Sequence, residues 1–211
     1  MFGSNWYKVL MIAGAYLALY MALVGEAYLN RMVERESQIN RQYFSDEAVT
    51  RSEVRATDWF NKVFVETEVM AHSFDMFIPS QAEIERSEGL DQDFGQPVFG
   101  WFERRLRSWW TLVWSTFTRA STMLIWAPIA PLFVVPWVID GWTQRQRRKH
   151  TFEISSATRQ HVAVLALTAV PLLLIVVITA PLVLHPMFAP AMLLLTGYLI
   201  YAAMANFMKR A

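Results

Sequence analysis

Basic residues form the densest group of potentially functional side chains in this chain. Arg145, Arg147, Arg148 and Lys149 place four positive charges within five residues. A cluster of this kind binds anionic lipid, nucleic acid or an acidic patch on a partner protein. The simpler interpretation is a topology signal, because Lys and Arg hold short loops on the cytoplasmic side of a membrane. On the sequence alone, both interpretations stay open.

Residues suited to catalysis or to metal binding are few and scattered. The chain has no cysteine, which excludes disulfides, thiolate nucleophiles and cysteine-ligated metals. Its histidines lie far apart and show no metal-binding spacing: His72, His150, His161 and His185. One hypothesis is a membrane enzyme with His72, Asp75 or Arg119 near its active site, although a single His–Asp pair is typical of a solvated surface. We therefore expect no enzyme, no cofactor and no metal site.

The composition predicts an integral membrane protein. Hydrophobic residues make up 55% of the 211 residues, and charged residues make up only 18%. Fifteen of the eighteen acids lie between residues 30 and 107, whereas residues 162–208 contain no Asp, Glu, Lys or Arg. A soluble core helix does not need so long an uncharged run, but a bilayer span needs about 20 apolar residues.

Hydropathy predicts about four membrane spans, and hence an all-α membrane protein. The spans fall at residues 9–29, 120–139, 162–184 and 187–208. The first is expected to be an uncleaved anchor, because no good small-residue cleavage site follows it. Three prolines are expected to kink the second: Pro128, Pro131 and Pro136. Arg119 lies at the edge of this span, where we expect it to snorkel to the surface; a functional charge inside the membrane is the alternative.

Residues 30–105, between the first two spans, are predicted to form a water-soluble helical segment. We expect the first helix to continue to about Tyr43 and a second helix to run from the capping-box motif at Thr50 to about His72. A loop is predicted over residues 80–96, followed by a Trp-rich helix from Pro97 to Thr118. The aromatic residues of that helix crowd one broad face, which predicts that it lies in the membrane–water interface.

Basic residues also set the expected orientation. With four spans, Lys8, the cluster at residues 145–149 and Lys209–Arg210 all fall on one side of the membrane, which is the cytoplasmic side. Both termini are then cytoplasmic, and residues 30–105 lie outside. The competing topology folds residues 109–139 into a re-entrant hairpin and puts the soluble segment in the cytoplasm. It leaves one basic cluster outside.

An ordered set of motifs in the second half of the chain resembles a known family. The motifs are Pro131-Leu132-Phe133, Val138-Ile139-Asp140-Gly141, Arg145-x-x-Arg148, Glu153-x-Ser155-Ser156 and His185-Pro186. The set is similar to that of the integrating conjugative element membrane proteins, a family of unknown function encoded among type IV secretion genes. The resemblance extends from about Trp126 to Ala211 and is only architectural before that. It departs at His150-Thr151-Phe152, where the family often has glycines.

The resemblance implies a structural or interaction component of conjugative DNA transfer in the bacterial inner membrane, working beside the coupling ATPase of a type IV secretion system. Membrane lipids and other conjugation proteins are the implied partners, and residues 30–105 are then periplasmic. The family has no assigned catalytic residues. The alternative function is a small membrane transporter or channel subunit, in which the proline-kinked second and third spans line the path.

These expectations divide the chain into five parts. Residues 1–29 are a transmembrane anchor, 30–105 a periplasmic helical segment, 106–139 the interfacial helix with the second span, 140–160 a basic cytoplasmic loop, and 161–211 a transmembrane hairpin with a cytoplasmic carboxyl terminus. Structural turns are predicted at Asp140-Gly141 and at His185-Pro186. Gly141 is expected to end the second span in a left-handed turn, so that the loop presents its basic cluster in a fixed direction.

Overall fold

The structure, a computed structural model, describes residues 24–78, 92–150 and 156–207 together with Met11; for residues 92–98 and 149 it describes the backbone only. Every regular element among these residues is helical, which confirms the predicted all-α class. The α-helices are α1 (Glu26–Tyr43), α2 (Asp46–Phe60), α3 (Val69–Phe77), α4 (Gln92–Met123), α5 (Ala130–His150), α6 (Ala157–Thr179) and α7 (Phe188–Ala205). Most of the first predicted span lies outside the described residues, and so does most of the loop predicted over residues 80–96.

The segment after α1 differs from its prediction. α1 runs to Tyr43, as expected. The single helix predicted from Thr50 to about His72 is wrong, because a π-helical turn at Asn61–Val65 separates α2 from α3. Glu68 then takes a left-handed conformation with φ 58° just before α3. A right-handed helix cannot continue through such a residue, so the chain changes direction there.

A cap and a proline set the ends of α6. The Ser156 side chain accepts a hydrogen bond from the backbone N–H of Arg159 at 3.3 Å and so caps the amino terminus. The helix ends at Thr179 because Ala180, the residue before Pro181, is extended, and a proline disfavours the helical conformation in the residue that precedes it. α6 therefore begins and ends about five residues earlier than the predicted third span.

Two described helices, α6 and α7, are long and apolar enough to cross a membrane. They correspond to the third and fourth predicted spans. The second predicted span is not one straight helix: Phe99–Trp126 and Ala130–Arg148 pass the same test only as a pair, and they meet at a bend of 63°. Pro128 lies at this break and Pro131 just after it, and prolines interrupt helix hydrogen bonding. The pair is either a broken span or a re-entrant loop, so the described residues hold two or three candidate spans.

Contacts divide the chain into two compact units. The first unit comprises the described residues within 1–38, 54–118 and 181–183. The second unit comprises the described residues within 39–53, 119–180 and 184–211. The core of the first unit consists of two clusters, centred on Leu29, Met32 and Leu112 and on Phe60, Leu106 and Trp110. Trp110 also donates its indole N–H to the Ser73 hydroxyl at 3.0 Å, which satisfies the polar atom of a buried ring.

The aromatic face of α4 is divided between protein core and exposed surface. α4 begins at Gln92, five residues before Pro97, so residues 92–96 are helical rather than part of a loop. Leu106 and Trp110 are buried against Phe60, and the rings of Phe60 and Trp110 meet edge to face at 6.0 Å. Trp101 and Phe102 are each 41% exposed. The position of this helix in the membrane interface stays a prediction.

In the second unit, α5 and α7 pack side by side and run in the same direction. Trp137 contacts Gly197, Gly141 contacts Tyr201, and Arg148 contacts Ala205, so the contacts advance together along both helices. α6 packs on α7 in the opposite direction, because the first turn of α6 and the end of α7 line one cavity. Three helices thus lie together, with α7 between the other two.

Glycine lets α5 and α7 approach closely. Gly141 lies inside α5, so the left-handed turn predicted at Asp140-Gly141 is wrong. A Cβ on Gly141 would lie 3.2 Å from the Cα of Tyr201, and a Cβ on Gly197 would lie 2.5 Å from Cδ1 of Trp137. Small residues serve the same purpose between membrane helices in general.

Arg119 closes the carboxyl end of α6. It is only 2% exposed, and its Nη1 donates hydrogen bonds to the carbonyls of Ile178 at 2.8 Å and Ala180 at 2.5 Å. The last carbonyls of a helix lack partners within the helix and carry a partial negative charge, which favours a cation. The expected snorkelling is therefore wrong, because Arg119 is buried in protein as a helix cap.

Residues 39–53 lie at this same end of the second unit, which we call the Arg119 end. The Ser121 hydroxyl donates to the carbonyl of Ser52 at 2.7 Å. The ring of Tyr43 meets His185 edge to face at 4.8 Å. The opposite end, where α7 finishes, is the Arg148 end.

Candidate functional site at the Arg148 end

The predicted basic cluster lies on the last two turns of α5. Residues 140–150 are helical, so the loop predicted over 140–160 is wrong for this part, while residues 151–155 lie outside the described residues. The structure brings Arg145, Arg147 and Arg148 together on one helix end. The side chain of Lys149 is outside the description. A helix end fixes the direction of these side chains more firmly than a loop would.

Arg148 ties the end of α5 to the end of α7. Its Nη1 donates hydrogen bonds to the carbonyl of Ala205 at 2.8 Å and to the side-chain oxygen of Asn206 at 3.0 Å. The amide of Asn206 in turn donates to the carbonyl of Ala202 at 2.8 Å. A cation at a helix carboxyl terminus is favoured by the helix dipole. Arg148 therefore acts at α7 as Arg119 acts at α6.

The other two described arginines of the cluster differ in exposure. The guanidinium carbon of Arg145 lies 4.6 Å from the ring centre of Phe207, which is a cation–π geometry, and Arg145 is half-buried. Arg147 is exposed. Of the three described arginines, two therefore hold α5 in place and one faces outward.

A cavity of about 580 Å³ opens beside Arg148, between the start of α6 and the end of α7. It is lined by Arg148, Thr158, Arg159, Val162, Ala163, Tyr198, Leu199, Tyr201, Ala202, Ala205 and Asn206. Among these lining residues, only Arg148 was a candidate from the sequence. One signal was available for Asn206, because an Asn just after an apolar run is typical of a helix end.

The predicted turn at His185-Pro186 lies at the Arg119 end and takes no part in this cavity. The backbone N–H of Phe188 bonds to the carbonyl of His185 at 2.9 Å, and the N–H of Met187 bonds to its ring Nδ1 at 3.2 Å. These two hydrogen bonds stabilise the turn that precedes α7. His185 is thus a structural residue of the turn between α6 and α7.

In the first unit, His72 and Asp75 are exposed on the short helix α3. The His72 ring Nδ1 lies 2.9 Å from the carbonyl of Glu68, so it bonds to the backbone of its own helix start. Within residues 24–78, 92–150 and 156–207, no group of three or more His, Asp or Glu side chains is placed to hold a metal ion.

A family model matches residues 20–208, and its description is "IncC plasmid conjugative DNA transfer protein DtrJ-like". The match covers parts of both units and extends well before residue 126, where the motif resemblance begins. The description names DNA transfer and no catalytic activity. No curated protein and no solved structure matches the chain.

Proposed function

This chain belongs to the DtrJ-like family of IncC plasmid conjugative DNA transfer proteins, and from this premise we propose that it is an interaction component of the transfer apparatus in the bacterial inner membrane. The motif resemblance to conjugative-element proteins is thereby confirmed. In this proposal the protein works beside the coupling ATPase of a type IV secretion system, and it acts by contact rather than by catalysis.

The family match over residues 20–208 is the observation that carries this proposal. The basic carboxyl end of α5 supports the proposal that the protein acts by contact with a partner. Arg147 is exposed there, while Arg145 and Arg148 hold the helix end against α7 and the residues that follow it. A fixed, exposed cation suits recognition of an acidic patch, because charge complementarity selects partners and speeds encounter.

The proposed orientation places the Arg148 end in the cytoplasm. Basic residues next to membrane spans are retained on that side, and this end holds Arg145, Arg147 and Arg148. Residues 39–53, at the Arg119 end, are then periplasmic. The proposal keeps four spans, with residues 9–29 as the first and the bent pair as the second, and it keeps Trp101 and Phe102 at the membrane interface.

Charge reversal at Arg147 and Lys149 is expected to lower conjugative transfer. In an Arg147→Glu/Lys149→Glu variant, two attractive charges become repulsive toward an acidic partner, whereas Arg145 and Arg148 still fix α5. We expect transfer frequency in a mating assay to fall by about tenfold or more, which corresponds to about 1.4 kcal/mol of lost contact. The amount of protein in the membrane fraction is expected to stay unchanged.

The matched control is Arg35→Glu, a charge reversal at an exposed position on α1, in the proposed periplasmic segment. Transfer by this variant is expected to stay close to that of the unchanged chain. Normal transfer by the Arg147→Glu/Lys149→Glu variant, at a normal level in the membrane, would show that the cluster is a topology signal without a partner.

The orientation itself is testable because the chain has no cysteine. Thr50 and His150 are both exposed and lie in the second unit, one in residues 39–53 and the other at the end of α5. A membrane-impermeant maleimide added to cells with a permeabilised outer membrane is expected to label Thr50→Cys. His150→Cys is expected to react only after the inner membrane is opened. Protection of both positions would favour the topology with a re-entrant hairpin.

A further inference from the structure

The cavity at the Arg148 end is polar at one end and apolar along its walls. Arg148, Arg159 and Asn206 line the polar part, where α6 begins and α7 finishes. Val162, Ala163, Leu199 and Ala202 line the apolar part. Tyr198 lies about two turns before the end of α7, so the cavity extends inward along the helices. Its volume of about 580 Å³ lies in the range of small-molecule binding sites.

The polar part is suited to an anion. Two of its lining residues are arginines, and none is an Asp or a Glu. Among the described residues, no ion pair involves Arg159. Arginine presents a planar set of N–H donors that matches phosphate oxygens. The amino terminus of α6, capped by Ser156, adds a partial positive charge at the same place.

The apolar part is suited to a hydrocarbon chain. Val162 lines the cavity and is 57% exposed, and Leu165, almost one turn further along α6, is 62% exposed. α6 is also one of the two helices that qualify as membrane spans. An occupant with an anionic head and an apolar tail therefore fits the cavity and the helix surface that continues from it. Nucleic acid fits less well, because the aliphatic walls offer no polar partner to its sugars and phosphates.

We propose that this cavity binds an anionic phospholipid, with the phosphate between Arg148 and Arg159 and an acyl chain along the exposed face of α6. Basic pockets between membrane helices on the cytoplasmic side recognise lipid headgroups in this way. The bound lipid bridges the start of α6 and the ends of α5 and α7. The inference requires α6 and α7 to lie in a membrane, and it does not depend on a role in DNA transfer.

Lipid-dependent stabilisation of the purified full chain tests this site. The protein is kept in a nonionic detergent, and its thermal unfolding midpoint is followed by tryptophan fluorescence as phosphatidylglycerol is added. We expect a saturable rise in the midpoint, because a ligand that binds only the folded state stabilises it by mass action. Phosphatidylcholine and inorganic phosphate, added in separate arms, are expected to give no such rise.

Two variants probe the two parts of the cavity. Arg159→Gln removes an exposed charge, and we expect it to raise the half-maximal phosphatidylglycerol concentration about tenfold. Ala202→Leu adds volume to the apolar wall without changing charge, and it is expected to weaken the lipid effect as well. Arg147→Gln is the matched control, since Arg147 does not line the cavity, and it is expected to leave the lipid effect unchanged.

Any of the following results would overturn the proposal. No rise with phosphatidylglycerol would leave the cavity without a lipid. An equal rise with inorganic phosphate would make it a site for free anions, and displacement of the lipid by a short single-stranded DNA would make it a nucleic-acid site. Equal losses in Arg159→Gln and Arg147→Gln would mean diffuse surface charge rather than a built site. None of these results bears on the mating assay, so the two proposals fail separately.

Discussion

A Gly197→Val variant is expected to force α5 away from α7 and to lower the thermal unfolding midpoint of the purified protein more than any other single change proposed above. A Cβ at this position would lie 2.5 Å from Cδ1 of Trp137 and 3.2 Å from the carbonyl oxygen of Phe133. The carbonyl oxygen of Phe133 is part of the α5 backbone and cannot move by itself. Either the Trp137 ring or the whole of α5 must therefore move. Overpacking of this kind costs about 1–3 kcal/mol, and we expect the upper part of that range.

Gly100→Ala is the matched control for this prediction. Gly100 is also helical, but its Cβ would meet only the flexible end of Arg104, at 3.5 Å. Replacing a helical glycine by alanine is expected to be neutral or to stabilise by up to about 1 kcal/mol.

A double-mutant cycle identifies the cause. Trp137→Ala removes the ring, so Gly197→Val is expected to cost at least about 1 kcal/mol less in that background. Equal costs of Gly197→Val in the two backgrounds would mean that contact with the ring is not what keeps position 197 small.

Replacing Arg119 by methionine is expected to destabilise the protein by about 3 kcal/mol, because the carbonyls of Ile178 and Ala180 lose the donor that satisfies them. A backbone carbonyl that is buried in protein and loses its donor is costly, because water cannot replace the lost bond. Arg119→Lys keeps a cation near the helix end, although without the planar set of donors, so an intermediate loss is expected. The measurement is again thermal unfolding in detergent, together with the amount of folded protein recovered from the membrane.

Arg104→Met provides the comparison, because Arg104 is an exposed arginine on the same helix, α4. Its effect is expected to stay within about 0.5 kcal/mol, as is usual for exposed positions. If Arg119→Met were as stable as the unchanged chain, the carbonyls at the end of α6 would have another donor, and the assignment of Arg119 as the helix cap would be wrong.

Two contacts hold in place the helices that carry the basic residues. Gly197 sets the distance between α5 and α7, and Arg148 joins their ends. A variant that separates these helices is expected to displace Arg147 and the arginines of the cavity together. Loss of transfer in such a variant is therefore evidence about positioning, whereas loss in Arg147→Glu/Lys149→Glu is evidence about contact.

Much of the architecture was predictable because hydropathy and charge are properties of the local sequence. Residues 162–208 contain no acidic residue, Lys or Arg, and the two candidate spans that this predicts correspond to α6 and α7. Helix boundaries were less accurate, since a cap at Ser156 and a proline at 181 moved α6 by about five residues. The break in the helix predicted from Thr50 to His72 could not be foreseen, because its apolar repeat continues through the π-helical turn at residues 61–65.

The sequence by itself determined that the chain is helical, that it holds long apolar segments, that a basic cluster follows the prolines of the second segment, and that motifs of a conjugative family are present. Only the tertiary structure decided what individual residues do. The carbonyls that Arg119 and Arg148 bind are 59, 61 and 57 positions away in the chain. Gly141 is a point of close approach rather than a turn, because α7 lies beside it. Hydropathy and charge act on each segment separately, whereas a helix cap or a helix contact requires two segments that only folding brings together.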